Sequence, residues 1–275
     1  MNHRNRLNVV IVNFRTPGIA INCVKSVLAL EVATPEDIVV VDNASPDDSY
    51  VQLRSGLPSG VRLIRASQNR GFGAGVNLGM AAGTHENVLV LNPDTYFVDS
   101  SLEKALDTLD ADPTIGLVGL DLTNPDGSRQ YSARRFYSVL DIVGRRTSLG
   151  RSHLLRKRLT EHMMVDSWTP GLPFDAEWVM GTGFVVRRHL FEELSGMDEA
   201  YFLYMEDVDL CARIWRAGFR VVCVPGARLV HEHQRQSARS LVNSASRYHI
   251  KSLLRFRNKF RVPLTFPPGV NGLAK

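Results

Sequence analysis

An α/β fold built on a mainly parallel sheet, with helices on both faces, is predicted by three observations. Short β-branched runs alternate with helix-patterned stretches along the first half of the 275 residues. Several of those runs are apolar at every position, as strands covered on both sides are. The composition, 44% hydrophobic and 22% charged with 21 Gly and 13 Pro, excludes disordered, collagen-like and coiled-coil chains.

The elements follow in order. Leu7–Asn13, Ile38–Asp42, Val61–Ile64 and Val88–Leu91 read as strands, each rich in Val, Ile or Leu. Between them, Ile19–Leu30 carries apolar residues at helical spacing after Pro17. Gly71–Ala82 is a small-residue helix, and Ser100–Leu109 repeats Leu at 102, 106 and 109 behind a Ser N-cap. Residues 129–175 are basic, with scattered aromatics and the run Pro170-Gly171-Leu172-Pro173, and predict an irregular insertion on the acceptor side. Regular patterning returns with a strand at Gly183–Val186, a helix over Glu206–Ala217, a strand at Arg220–Val224 and a helical tail around Ser244–Phe260. No linker separates two independent domains. The expected organisation is one body over 1–240 and a basic helical tail over 241–275.

The net charge of +5 is concentrated. Arg129–Arg158 and Arg228–Arg261 each hold nine Lys or Arg against one acid, which leaves the rest of the chain acidic. Such basic segments suit an anionic membrane surface or phosphates. A nucleic-acid partner is not expected, because an RNA-binding sheet needs exposed aromatics where these strands carry Val and Leu. A nucleotidyltransferase would show a triphosphate-gripping basic loop near its first strand, where only Arg15 stands. No apolar run nears the roughly 18 residues of a membrane span, and Asn8 and Asn13 interrupt the stretch before Phe14. The expected location is cytoplasmic, peripheral at the inner face of the plasma membrane. Cys23, Cys211 and Cys223 lack metal or disulfide spacing and read as buried thiols.

In an open parallel sheet, ligands sit beyond the carboxyl ends of the strands. Polar residues end the apolar runs at Asn13-Phe14-Arg15, Asp42-Asn43-Ala44-Ser45 and Asn92-Pro93-Asp94, and Gly226 to His233 reads as a loop after the last strand. The glycine-rich stretch Asn69-Arg70-Gly71-Phe72-Gly73-Ala74-Gly75-Val76-Asn77 enters a helix, but Val76 replaces the third glycine of a dinucleotide fingerprint. Glu206, Asp207 and Asp209 open a helix behind the aromatic run Tyr201-Phe202-Leu203-Tyr204-Met205, a candidate cleft wall beside a candidate general base. Asp94 with His231 or His233 offers hard oxygen plus imidazole, a set that suits Mn²⁺ and tolerates Mg²⁺.

The ordered set Asn8 to Asn13, Ile38 to Ser45, Asn69 to Gly79, Leu89 to Thr95, Gly181-Thr182-Gly183, Met197-Asp198-Glu199, Phe202 to Leu210 and His231 resembles family 2 glycosyltransferases. It is most similar to their rhamnosyltransferase-type branch, over about residues 8–240. The resemblance implies a GT-A, Rossmann-like fold, a nucleotide-diphosphate sugar donor, inversion at the anomeric carbon and a divalent metal. It implies L-rhamnose from dTDP-rhamnose as the transferred sugar, with UDP- or GDP-sugars as the alternative. The acceptor would be a saccharide or a lipid-linked sugar in cell-surface glycan synthesis. Carried over by position, Asp42 would hold the pyrimidine base, and Asn13, Arg15, Asn69, Arg70, Asn77, Asn92 and Glu206 would line the donor site. Asp94 and His231 would hold the metal, and Asp207 would deprotonate the acceptor. The family's usual Asp-x-Asp reads Asn92-Pro93-Asp94 here, one carboxylate fewer.

Overall fold

The computed structural model describes residues 7–138, 153–169, 171–232, 242–263 and 267–273; the side chains of 153–156 and 242–246 lie outside that description. Pro170, His233 and the middle of the basic insertion therefore fall outside it too.

Four parallel strands form one half of the main sheet: β1 (Leu7–Asn13), β2 (Ile38–Asp42), β3 (Arg62–Arg65) and β4 (Asn87–Leu91). Their apolar residues alternate between two cores, as period-two geometry requires. Val10 and Val12 face one, and Leu7, Val9 and Ile11 face the other. Helices α1 (Pro17–Ala29), α2 (Ser49–Gly56) and α3 (Phe72–Met80) make the crossovers.

The other half comprises β5 (Thr95–Tyr96), β6 (Ile115–Thr123), β11 (Gly183–Arg187) and β12 (Arg220–His231), giving the order β3-β2-β1-β4-β11-β6-β12-β5. Strand β11 runs antiparallel to β4 and β6, whereas β12 runs parallel to β6. Short strands β7 (Arg129–Gln130) and β9 (Phe174–Asp175) branch from β6 and β12 respectively, and β8 (Ala133–Arg134) pairs β10 (Trp178–Val179) in a separate ribbon. That ribbon lies against β6 at Gly119, where an added Cβ would meet Val179 Cγ1 at 2.5 Å. Helix α4 (Leu102–Ala111) covers one face of the sheet, α5 (His153–His162) lies in the insertion, and α6 (Arg188–Glu193) follows β11. Helix α7 (Glu206–Arg216) follows the aromatic run, and α8 (Val242–Phe260) and α9 (Gly269–Leu273) form the tail.

Three expectations need correction. Strand β6 was absent from the sequence reading, because Gly116 and Gly119 interrupt its apolar pattern. The presumed loop from Gly226 to His231 is strand: β12 absorbs the Pro225-Gly226 signal as a register shift between Val224 and Arg228 and continues to His231. The insertion is not simply irregular, since Phe136, Tyr137 and Trp168 are buried in the main core.

The tail is likewise part of that core. Phe256 and Phe260 are buried in it together with Val262 and Leu273. Lys259 Nζ meets Asp198 Oδ2 at 2.9 Å and Asp209 Oδ1 at 2.6 Å, and Arg255 reaches Asp198 Oδ2 at 3.0 Å. Burial alone would raise the Asp198 carboxyl, but hydrogen bonds from Lys259, the Ala200 N–H and Arg255 hold it at about 2. Asp209, with no exposed surface, also accepts from Arg213 Nε at 2.6 Å. The three cysteines are free and buried, and burial pushes each thiol up to about 12.

Candidate active site

The carboxyl ends of β1 and β2 are tied together by the side chains that end them. Asn13 Nδ2 donates to Asp42 Oδ1 (2.9 Å), and the Ser45 N–H donates to Asp42 Oδ2 (3.2 Å). Asp42 is thus fully enclosed, and a nucleobase would have to use the lone pairs those two bonds leave over. Arg15 is exposed, held at φ 63° with its N–H on Ser45 Oγ and its guanidinium 3.5 Å from Asp47.

Asn69 Oδ1 accepts from the Gly71 N–H (2.9 Å) and from Asn43 Nδ2 (3.2 Å), so it shapes the glycine-rich loop from within. Gly71 has φ 99°, and a side chain there would strike the Phe202 carbonyl. The loop therefore abuts the aromatic wall directly. Exposed Arg70 pairs with Glu199 at 3.0 Å. Asn77 is corrected: its amide nitrogen donates to Met197 O and Glu199 Oε1, and its oxygen accepts from the Met197 N–H. It clamps α3 to the 197–199 turn, with both amide hydrogens used there.

The antiparallel pairing of β5 with β12, in which His231 lies opposite Thr95, brings His231 against Asp94. His231 Nε2 lies 3.4 Å from Asp94 Oδ2. Gln130 Nε2 donates to the His231 carbonyl (2.8 Å) and to Asn124 Oδ1 (2.6 Å), which leaves Gln130 Oε1 as the acceptor facing His231 Nδ1 at 2.8 Å. The proton of a neutral imidazole is thereby assigned to Nδ1, and the Nε2 lone pair faces the carboxylate. Asp94 Oδ1 is buried with no hydrogen-bond partner. Two opposed lone pairs and an unpartnered carboxylate oxygen fit a divalent cation held by Asp94 and His231. No group of three or more His, Cys, Asp or Glu suited to a metal occurs among the described residues.

A cavity of about 580 Å³ opens between this rim and α7. Asn92, Gly181 and Thr182 form its floor, and Leu203, Tyr204, Met205, Glu206 and Asp207 form a wall. Tyr204 and Met205 both adopt left-handed backbone conformations, at φ 67° and 72°. Neither is Gly or Asn, so this turn carries strain of the kind found at functional sites. It is held from behind by α8, where Tyr248 stacks on Phe202 (4.6 Å), His249 meets Tyr204 (5.0 Å) and Ser252 Oγ donates to Leu203 O (2.9 Å).

Asp207 faces into the cavity from the first turn of α7. The Gly181 N–H donates to its Oδ2 and the Val208 N–H to its Oδ1, both at 2.8 Å. Enclosure raises the carboxyls of both Asp207 and its neighbour Glu206; the latter, buried, with Oε2 unpartnered and the Asp207 charge nearby, is pushed up to about 8. The two N–H donors and the helix N-terminus favour the anion on Asp207 over the anion on Glu206. Asp207 is therefore a carboxylate of raised basicity, suited to accept a proton.

Three of the wall residues were legible in the aromatic run, but Arg134, Tyr137, Trp178 and His249, which also line the cavity, were not. The first three sit on or beside two-residue strands, too short to leave a period in the sequence, and His249 arrives from the tail.

Comparison with known proteins shows the family and the fold. The chain is 31% identical over 254 residues to the N-acetylglucosaminyl-diphospho-decaprenol L-rhamnosyltransferase of Mycobacterium tuberculosis (strain CDC 1551 / Oshkosh), covering 88% of this chain and 81% of that protein. It is 26% identical over 201 residues to rhamnosyltransferase WbbL of Escherichia coli (strain K12), covering 70% and 72%. Among solved structures it resembles the mannosyltransferase PcManGT from Pyrobaculum calidifontis, in complex with GDP-Man and Mn²⁺, with a TM-score of 0.66, 16% identity and coverage of 98% and 69%. That likeness shows the GT-A fold. The profile of Glycosyl transferase family 2 matches residues 8–194, and with the relatives' identity it establishes that this chain belongs to that family and is a glycosyltransferase.

Proposed function

We propose that this enzyme moves L-rhamnose from dTDP-rhamnose, with inversion, onto a hydroxyl of a sugar joined to a lipid through a diphosphate, in cell-surface glycan synthesis. The observation that carries the reading is the Asp207 carboxylate facing the cleft from the N-terminus of α7, held by the Gly181 N–H. The choice of sugar and acceptor draws on the rhamnosyltransferase relatives.

In this mechanism Asp207 removes the proton of the acceptor hydroxyl. The freed oxygen attacks the anomeric carbon from the face opposite the nucleotide, and the sugar–phosphate bond breaks, so one displacement inverts the centre. Asp94 and His231 would hold a divalent cation, which would supply electrostatic stabilisation to a departing diphosphate. Arg15, Asn69, Arg70 and Asn92 form the donor rim, with Asn13 and Asp42 enclosed behind it as its support and Arg15 and Arg70 as exposed cations able to turn toward phosphate. Glu206 acts beside the base, keeping the pair's proton away from Asp207.

A thermal-shift series with dTDP-rhamnose, UDP-glucose, UDP-galactose and GDP-mannose tests the donor. A ligand that binds only the folded state raises the midpoint in proportion to its affinity, so dTDP-rhamnose should give the largest shift. A larger shift with a UDP- or GDP-sugar would replace rhamnose as the transferred sugar.

We further propose peripheral attachment to an anionic membrane through the outward face of α8. Among the described residues no helix is long and apolar enough to cross a membrane. Ile250 and Leu254 are each 51% exposed, with exposed Arg247 and Lys251 beside them. Arg255 and Lys259, grouped with these in the sequence pattern, instead turn to Asp198, so the binding face is narrower than the basic stripe suggests. The wild type should sediment with vesicles containing anionic lipid at low salt. Changing Arg247 and Lys251 to Gln should weaken that by about 2 kcal/mol, at about 1 kcal/mol per basic residue. Full cosedimentation of the double variant would mean that α8 is not the attachment surface.

A further inference from the structure

The catalytic cavity contains a cation that the mechanism above does not use. Arg134, on β8, lines it together with Tyr137, Trp178 and Met180. Its guanidinium is positioned by two contacts: Nη1 donates to the Ala133 carbonyl at 3.1 Å, and Nη2 lies 3.9 Å from Met180 Sδ, another cavity-lining residue. Trp178 is fixed opposite it by strand pairing and by donation from Nε1 to the Arg135 carbonyl (2.9 Å).

The position of Arg134 decides which substrate it serves. The proposed donor residues come from the β3-β2-β1-β4 half of the sheet and from Asp94. Arg134 comes from the ribbon that lies over β6, on the other half, and shares the cavity with Asp207. A general base must face the acceptor, so groups that meet it from that half contact the acceptor. A neutral sugar needs no guanidinium, whereas a phosphate matches its planar donor fork. Arg134 is also the member of the basic segment 129–158 that reaches the cleft from β8, which gives part of that charge a specific purpose.

We propose that Arg134 binds the diphosphate joining the acceptor sugar to its lipid, with Trp178 and Tyr137 bordering the sugar, so that the hydroxyl to be glycosylated is presented to Asp207. This rests on the lipid-diphosphate acceptor named under Proposed function. It makes Arg134 a determinant of acceptor specificity, without a part in the chemical step.

The test compares two acceptors: N-acetylglucosamine joined through a diphosphate to a short alkyl chain, and the same sugar as a simple alkyl glycoside. In the wild type the diphosphate compound should have the lower KM. Arg134→Gln should raise its KM about 30-fold, as expected for a lost charge-assisted contact, and leave kcat within about twofold. The glycoside KM should stay unchanged, and that turnover also reports that the variant is folded. Arg134→Lys should recover part of the loss, as a point charge replaces a fork. Equal losses on both acceptors, or weaker binding of the free nucleoside diphosphate to Arg134→Gln, would overturn the assignment. Wild-type enzyme that does not prefer the diphosphate acceptor would instead overturn the acceptor reading itself, and this inference with it. A preference that survives in Arg134→Gln would overturn only the role of Arg134.

Discussion

Asp207→Asn is expected to lower kcat by about a thousandfold while the donor titration curve stays where it was, because the amide keeps the shape and loses the proton acceptor. Glu206→Gln is the companion measurement. If Glu206 holds the proton of the pair, an amide mimics its working state, and most activity should survive. The pH profile of kcat carries the sign of the same argument. Both carboxyls titrate above their ordinary range, so a falling pH protonates Asp207 sooner than it would an exposed Asp, and rate is lost on the acid side. Transfer by Asp207→Asn within tenfold of wild type would remove Asp207 from the role of base. Near-total loss in Glu206→Gln would move the ionised state, and the base, to Glu206.

The second large effect concerns the cation. Asp94→Ala should raise the donor dissociation constant in the presence of Mn²⁺ by about a hundredfold, near 2.7 kcal/mol. His231→Ala should do less, since a neutral ligand contributes less than a charged one. Exhaustive chelation of the wild type should reproduce the Asp94→Ala value, and chelation of the variant should add little, because both remove one interaction. Unchanged donor binding after chelation would leave Arg15 and Arg70 to hold the diphosphate alone.

Much of the parallel half of the fold was legible because β2 and β4 are nearly continuous apolar runs, as strands of a sheet covered on both faces are. The strand-end residues Asn13, Asp42 and Asn92 were legible for the same reason, as the first polar side chains after such runs. Asp94 and His231 were paired by family resemblance, since β5 is two residues long and leaves no local sign of its partner. Asn77 was misread because a polar residue on a small-residue helix points equally well to a ligand or to a neighbouring turn, and only the Met197 contacts decide. Arg134 lay hidden in a segment whose net charge could be seen but whose geometry could not. The tail showed its basic stripe and its apolar stripe, yet which cations face protein is set by Asp198, far away in sequence.

The two-sided character of α8 bears on how such a chain can diversify. Its inward positions, Ser252, Phe256 and Phe260, are fixed by Leu203 and the main core, so a change there must be matched by a change in the wall of the cleft. Its outward positions, Ile250, Lys251 and Leu254, are exposed and lie outside the lining of the cleft. One helix thus holds two independent records, one constrained by the chemistry and one free to drift with the surface it meets. Relatives that differ in their lipid surroundings can vary along the outer face without disturbing the turn that presents the base.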